Sequence, residues 1–171
     1  MPTGIGLQSL VTIKVEPGLF EWLAWYQDSM PIWFSPAQFH AMGYNIDLSY
    51  TPLITTLELH DKSETCEQFY MRNFFITEKI IKATQTIGGN ILMVGHAATL
   101  DTCTRQLVGH APRDVKELHR IIHRVPYCSV AVAEEYAEEN EGEKKWHLVE
   151  PPFPPFTNSS NARFDWKILL I

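Results

Sequence analysis

At 171 residues the chain has room for one domain, and with 45% hydrophobic residues it can bury a sizeable core. A net charge of −6, with no cluster of lysine or arginine, excludes general nucleic-acid binding, which needs a basic surface. No stretch approaches the roughly 20 apolar residues that span a bilayer, and the MPTGIG start lacks the basic and apolar parts of a signal peptide.

VTIKV at 11–15 is β-branched and alternating, and predicts a strand ending at Pro17 and Gly18. Residues 19–26 (LFEWLAWY) crowd aromatics around a single acid, Glu21. Residues 27–57, with Pro31, Pro36 and Pro52, read as an irregular, cap-like insert with short helical turns. Residues 63–86 form the clearest helix, with Phe69, Phe74, Ile76, Ile80, Ile81 and Ile87 as its apolar stripe and Gly88-Gly89 as its stop. ILMV at 91–94 predicts a strand that halts at Gly95 and His96. A helix over residues 98–108 follows, then a third over 112–123 with Val115, Leu118, Ile121 and Ile122 on one side. Residues 128–133 (CSVAVA) and 146–149 read as the strands of a hairpin, joined by an acidic, turn-like 134–145. The tail, 151–171, reads as extended. This order predicts a single α/β domain over 1–171 with a mixed sheet.

In open α/β sheets, ligands bind beyond the carboxyl ends of strands, and the amides of a helix N-terminus favour an anion. His96 stands at such a corner and is placed to touch a phosphate. On the residues alone, a hydrogen-bonded structural histidine fits that corner equally well. Glu21 lies among Phe20, Trp22 and Trp25. Partial desolvation there would favour its protonated form, as a general acid requires, although a solvated helix-end glutamate is the plainer account. Glu16 is a competing acid. His119 and His123 have metal-ligand spacing but no evident third and fourth ligand, so they read as exposed helix-face histidines, and no metal is expected. The three cysteines, Cys66, Cys103 and Cys128, have no CxxC spacing and imply a reducing, cytoplasmic compartment. Cys103 reads as a packed helix cysteine. The PxxP run at 151–155 is expected to lie against its own domain. The sequon at 158–160 is expected to be silent, and 138–143 to be a solvated hairpin tip.

VEPGLFEW at 15–22 and ILMVGHAATLDTCTRQLVG at 91–109 together resemble the C-terminal phosphatase domain of the UBASH3 (Sts, TULA) proteins and the insect ecdysteroid-phosphate phosphatases. RNFFITEK at 72–79, RVPY at 124–127 and the proline tail fit the same pattern. The resemblance implies the histidine phosphatase superfamily and a three-layer αβα, phosphoglycerate-mutase-like fold with a mixed sheet, truncated at the N-terminus. It implies hydrolysis of phosphomonoesters, either phosphotyrosine proteins or steroid phosphates, through a phosphohistidine, with no cofactor, and a homodimer. Carried onto matching positions, Glu21 is the proton donor and His96 the second, phosphate-contacting histidine; Glu16 does not match. The family's nucleophile sits in an Arg-His-Gly motif that these 171 residues do not contain, and none of the seven histidines replaces it by motif. The arginines of that block, and one preceding the VEPGLFEW-like block, have no counterpart either. The resemblance therefore implies the C-terminal two-thirds of the domain, with half an active site and a weak or inactive isolated chain. A non-catalytic binding or scaffold module, or a fragment of a longer enzyme, is the alternative. In the family a further strand lies beside the one ending at His96. Its absence implies unpaired edges, and hence a marginal fold or an assembly that fills the gap.

Overall fold

The computed structural model describes residues 11–137, 144–154, 156 and 160–171. Among these residues, four α-helices and one antiparallel strand pair carry the fold: α1 (Pro36–Ala41), α2 (Cys66–Thr84), α3 (Ala97–Thr104), α4 (Val115–Ile122), β1 (Val132–Ala137) and β2 (Lys144–Val149). Short 3-10 turns at Pro17–Leu19, Leu23–Trp25, Ser160–Arg163 and Trp166–Leu169 complete it.

α2 begins at a reciprocal cap. Thr65 Oγ1 accepts from the Gln68 amide at 3.1 Å, and Gln68 Oε1 accepts from the Thr65 amide at 2.7 Å. Cys66, Phe69, Tyr70, Asn73, Ile76 and Thr77 recur at helical spacing on its buried face. That face differs from the expected stripe in being part polar. Phe69 and Ile76 are buried as expected, but Ile87 lies beyond the helix and is 80% exposed. Asn73 and Thr77 stay inside because each bonds a carbonyl one turn back, Asn73 Nδ2 to Phe69 O at 2.9 Å and Thr77 Oγ1 to Asn73 O at 2.8 Å. α2 packs against α3, and α3 against α4. Trp22, Cys66, Phe69, Tyr70, Ala98 and Leu118 form one core cluster. Ile121, Leu148, Ile168 and Leu169 form a second.

The expected strands differ most from what forms. Residues 11–15 contribute only a single parallel bridge, Ile13 to Ile46. Residues 91–94 lie outside any strand, and among the described residues their backbone makes no hydrogen bond. A strand is a relation between segments, and among the described residues neither of these has a neighbour to complete a ladder. The ladder among the described residues is antiparallel, β1 on β2, pairing Ala133 with Leu148, Glu134 with His147 and Glu135 with Trp146. β1 begins at Val132 rather than at 128, because Ser129 N bonds Pro126 O in a turn at 3.3 Å and Cys128 takes φ 61°. It runs on through Glu134 and Glu135, which sequence patterning placed in the turn. Opposite them stand an imidazole and an indole rather than further carboxylates, so the acidic run is tolerated in the ladder.

The tail is not simply extended. The 3-10 turn Trp166–Leu169 buries Ile168 and Leu169 against Ile121 and Leu148. The expected tip at 138–143, the sequon at 158–159 and Pro155 lie outside the described residues. No described helix is long and apolar enough to cross a membrane.

Candidate active site

Two segments far apart in sequence meet at one point. The first is the link between the turns Pro17–Leu19 and Leu23–Trp25, where residues 20–22 are non-helical and carry Glu21. The second is the corner at His96, the N-cap of α3, with extended backbone (φ −98°, ψ 177°). His96 N donates to Thr99 Oγ1 at 3.0 Å, which fixes the corner. Gly95 makes this possible, since a Cβ there would stand 2.5 Å from Thr99 Oγ1.

Across the gap, Glu21 Oε1 lies 3.0 Å from His96 Nδ1. The Tyr26 hydroxyl donates to Glu21 Oε2. Burial, and then the Glu21 carboxylate it bonds, push the Tyr26 phenol up to about 12, so it remains a donor at neutral pH. Both oxygens of Glu21 are thereby engaged, while its side chain stays 23% exposed. The His96 side chain is 58% exposed, and with Nδ1 turned to Glu21 its Nε2 is left for a ligand. The amides of Ala97 and Ala98, at the start of α3, have no protein acceptor among the described residues. Such amides, with the helix dipole, favour an anion at the start of α3. Phe20 packs on Tyr26 and Trp33 with ring centroids 4.9 and 4.6 Å apart, forming an aromatic wall next to Glu21.

The other candidates fall elsewhere. Glu16 is a clasp: its carboxylate accepts from the Gly18 amide at 2.9 Å, the Tyr50 hydroxyl at 2.7 Å and the amides of Leu53 and Ile54 at 2.7 and 3.2 Å. It ties the 50–54 segment to the strip that carries Glu21. His119 on α4 and His123 just past its end are both exposed, with His119 against Trp25. No group of three or more metal-ligating side chains occurs among the described residues. Cys103 is buried beside Asn73, and burial pushes its thiol up to about 11, which suppresses nucleophilic reactivity at neutral pH.

Sequence patterning missed Arg72 and Glu64. Arg72 lies three residues after Phe69 and four before Ile76, at the edge of the buried face of α2. That spacing was the one available signal. Its guanidinium reaches across to the Glu21 strip, accepted there by the carbonyls of Gly18, Phe20 and Glu21.

The chain matches no family model. It is 42% identical over 167 residues to the ecdysteroid-phosphate phosphatase of Drosophila melanogaster, covering 97% of this chain and 21% of that protein. It is 34% identical over 169 residues to the human ubiquitin-associated and SH3 domain-containing protein B, covering 98% of this chain and 25% of that protein. The crystal structure of the Bombyx mori ecdysone phosphate phosphatase, a tungstate complex, superposes with a TM-score of 0.68 at 33% identity, over 93% of this chain and 59% of that one. The chain thus spans about a quarter of the length of these curated relatives. The fold is of the histidine phosphatase, phosphoglycerate-mutase-like class. Within that class the chain is a homologue of the ecdysteroid-phosphate phosphatases and the UBASH3-type proteins.

Proposed function

We propose that this chain carries the acid side of a phosphomonoester-hydrolysing site, with Glu21 as proton donor and His96 as a phosphate-contacting histidine. The observation that carries this is the 3.0 Å approach of Glu21 Oε1 to His96 Nδ1. A phosphomonoester brings a dianionic phosphoryl group and a leaving oxygen that needs a proton, so catalysis rests on positioning and charge stabilisation. His96 Nε2 and the first amides of α3 receive the phosphoryl oxygens. Glu21, a few ångströms away, protonates the leaving oxygen. The aromatic wall of Phe20, Tyr26 and Trp33 suits an aryl or steroid leaving group, in keeping with phosphotyrosine proteins or steroid phosphates as substrates. The 27–57 segment, which supplies Trp33, acts as a cap on that side.

The 171 residues contain no Arg-His-Gly motif to supply the nucleophile, so turnover by this chain alone is expected to be weak or absent. The same point favours a second reading, a phosphate-binding module that does not turn over. A homodimer and a cytoplasmic setting accompany both readings.

Tungstate, a phosphate mimic, tests the site by calorimetry. The chain should bind it, and His96→Ala should weaken binding by about 1.5–3 kcal/mol, roughly ten- to a hundred-fold, the range for hydrogen bonds to charged groups. Glu21→Gln should spare tungstate but remove any hydrolysis of p-nitrophenyl phosphate. Binding that ignores His96→Ala would sink the proposal.

A further inference from the structure

We infer that Arg72 and Glu64 form a positioning pair that sets Glu21 against His96. The inference rests on Glu21 being the proton donor. All five N–H donors of the Arg72 guanidinium are used. Nε and one Nη bond Glu64 Oε1 and Oε2 at 2.7 and 3.0 Å. The remaining three donors go to backbone carbonyls: Gly18 O at 2.6 Å, Phe20 O at 2.9 Å and Glu21 O at 3.1 Å. Glu64 completes the grip from the other side of Glu21. Its Oε2 accepts from the Leu23 amide at 3.1 Å, and its carbonyl accepts from the Trp22 indole at 2.7 Å.

The strip 18–23 has no helix or strand to hold residues 20–22, and 3-10 turns of three residues are weak scaffolds. Its geometry is therefore borrowed from α2, a 19-residue helix. The pair is almost fully buried, with side chains 9% and 8% exposed, so each bond acts in a low-dielectric setting where it is strong and directional. Only a planar fork reaches three carbonyls and a carboxylate at once. Lysine keeps the charge but lacks that geometry, so Arg72→Lys should release the Glu21 strip while leaving α2 in place.

The readout is the nuclear Overhauser cross-peak between the Glu21 γ-protons and the His96 ring proton next to Nδ1. The unmodified chain should show it. Arg72→Lys should lose it, with shifts confined to residues 18–23 and the amide spectra of α4 and the β1–β2 hairpin unchanged. Glu64→Gln, which keeps a neutral acceptor but removes the ion pair, should weaken it severalfold. A role limited to stability would lower the melting temperature and leave the cross-peak intact in the folded population.

Persistence of the cross-peak in both variants, or its absence from the unmodified chain, would overturn the inference. So would loss of the whole fold in both variants, because the pair would then be a general stabiliser. No turnover is needed. A chain that fails to bind tungstate leaves this test standing, and a persistent cross-peak removes the clamp without touching the phosphatase proposal.

Discussion

Asp101, on α3, is fully buried, and two side chains from other parts of the chain converge on it. Arg113 Nε bonds both its oxygens at 3.0 and 3.2 Å, and the Tyr70 hydroxyl of α2 donates to it as well. Arg113 also donates to the carbonyl of Leu169 at 3.2 Å and to Ile171, tying the tail to the core. Removing one partner of such a pair strands a buried charge. Arg113→Met should therefore cost about 3–5 kcal/mol in urea denaturation. Tyr70→Phe, which leaves the ion pair intact, should cost only about 1–3 kcal/mol. The buried thiols add a pH dependence of definite sign. Burial raises Cys66 and Cys103 from 9.0 to about 11, so the folded state keeps protons that the unfolded chain gives up. Their contribution to stability is complete below pH 9 and is lost as pH rises toward 11. Stability measured across that window should fall, and Cys103→Ala should flatten the decline. Ellman's reagent at pH 8, a general probe of accessible thiols, should modify Cys128 quickly and the two buried thiols only on unfolding.

Among the elements, α3 is the one whose start shapes the site. Gly95→Ala would press a methyl group onto Thr99, 2.5 Å from its hydroxyl. Overpacking of that kind costs about 1–3 kcal/mol. A second change, Thr99→Ala, should recover part of the loss by removing the obstacle, a coupling that a double-mutant cycle in urea would measure. The helices could be read in the sequence because their signals are local: a Thr65–Gln68 cap, Asp114 before α4, apolar residues three and four apart. The expected strand at 91–94 had the right composition, but composition cannot supply the neighbour that makes a strand. The tail was misread for a related reason. Ile168 and Leu169 turn inward only because Ile121 and Leu148 present a surface for them. Of the candidate site, His96 stands out in the sequence as a corner before a helix. Glu21 stood out from Glu16 only through the family resemblance, since both acids sit beside aromatic or proline residues. Arg72, Glu64 and Arg113 were hidden because a buried charge is justified by its partner, and those partners lie 8 to 58 residues away.

At the scale of the molecule, the feature that departs most from an ordinary monomer is the run into the site. Ile87, Leu92 and Val94 are 80%, 85% and 79% exposed, and the backbone of residues 91–94 is unpaired among the described residues. A long apolar segment with free N–H and C=O groups is a template for strand pairing. Exposed apolar side chains grouped in one segment mark an association surface or an aggregation liability. The net charge of −6 opposes association only weakly at physiological ionic strength, where repulsion between surface charges is screened within about 8 Å. The chain should therefore self-associate in a concentration-dependent way, and sedimentation velocity should show its mean mass rising above 19.6 kDa. Leu92→Lys combined with Val94→Lys should return it to the monomer mass. Both side chains already face solvent, so far-UV circular dichroism should be unchanged. Dye binding that reports exposed apolar surface should fall in the same variant. If the double variant associates as strongly as the unmodified chain, the contact lies elsewhere and the 91–94 run is not the surface responsible. If it becomes monomeric but also loses tungstate binding, pairing at this run and the geometry of His96, two residues further on, are coupled. The candidate site would then depend on what covers the run that leads to it.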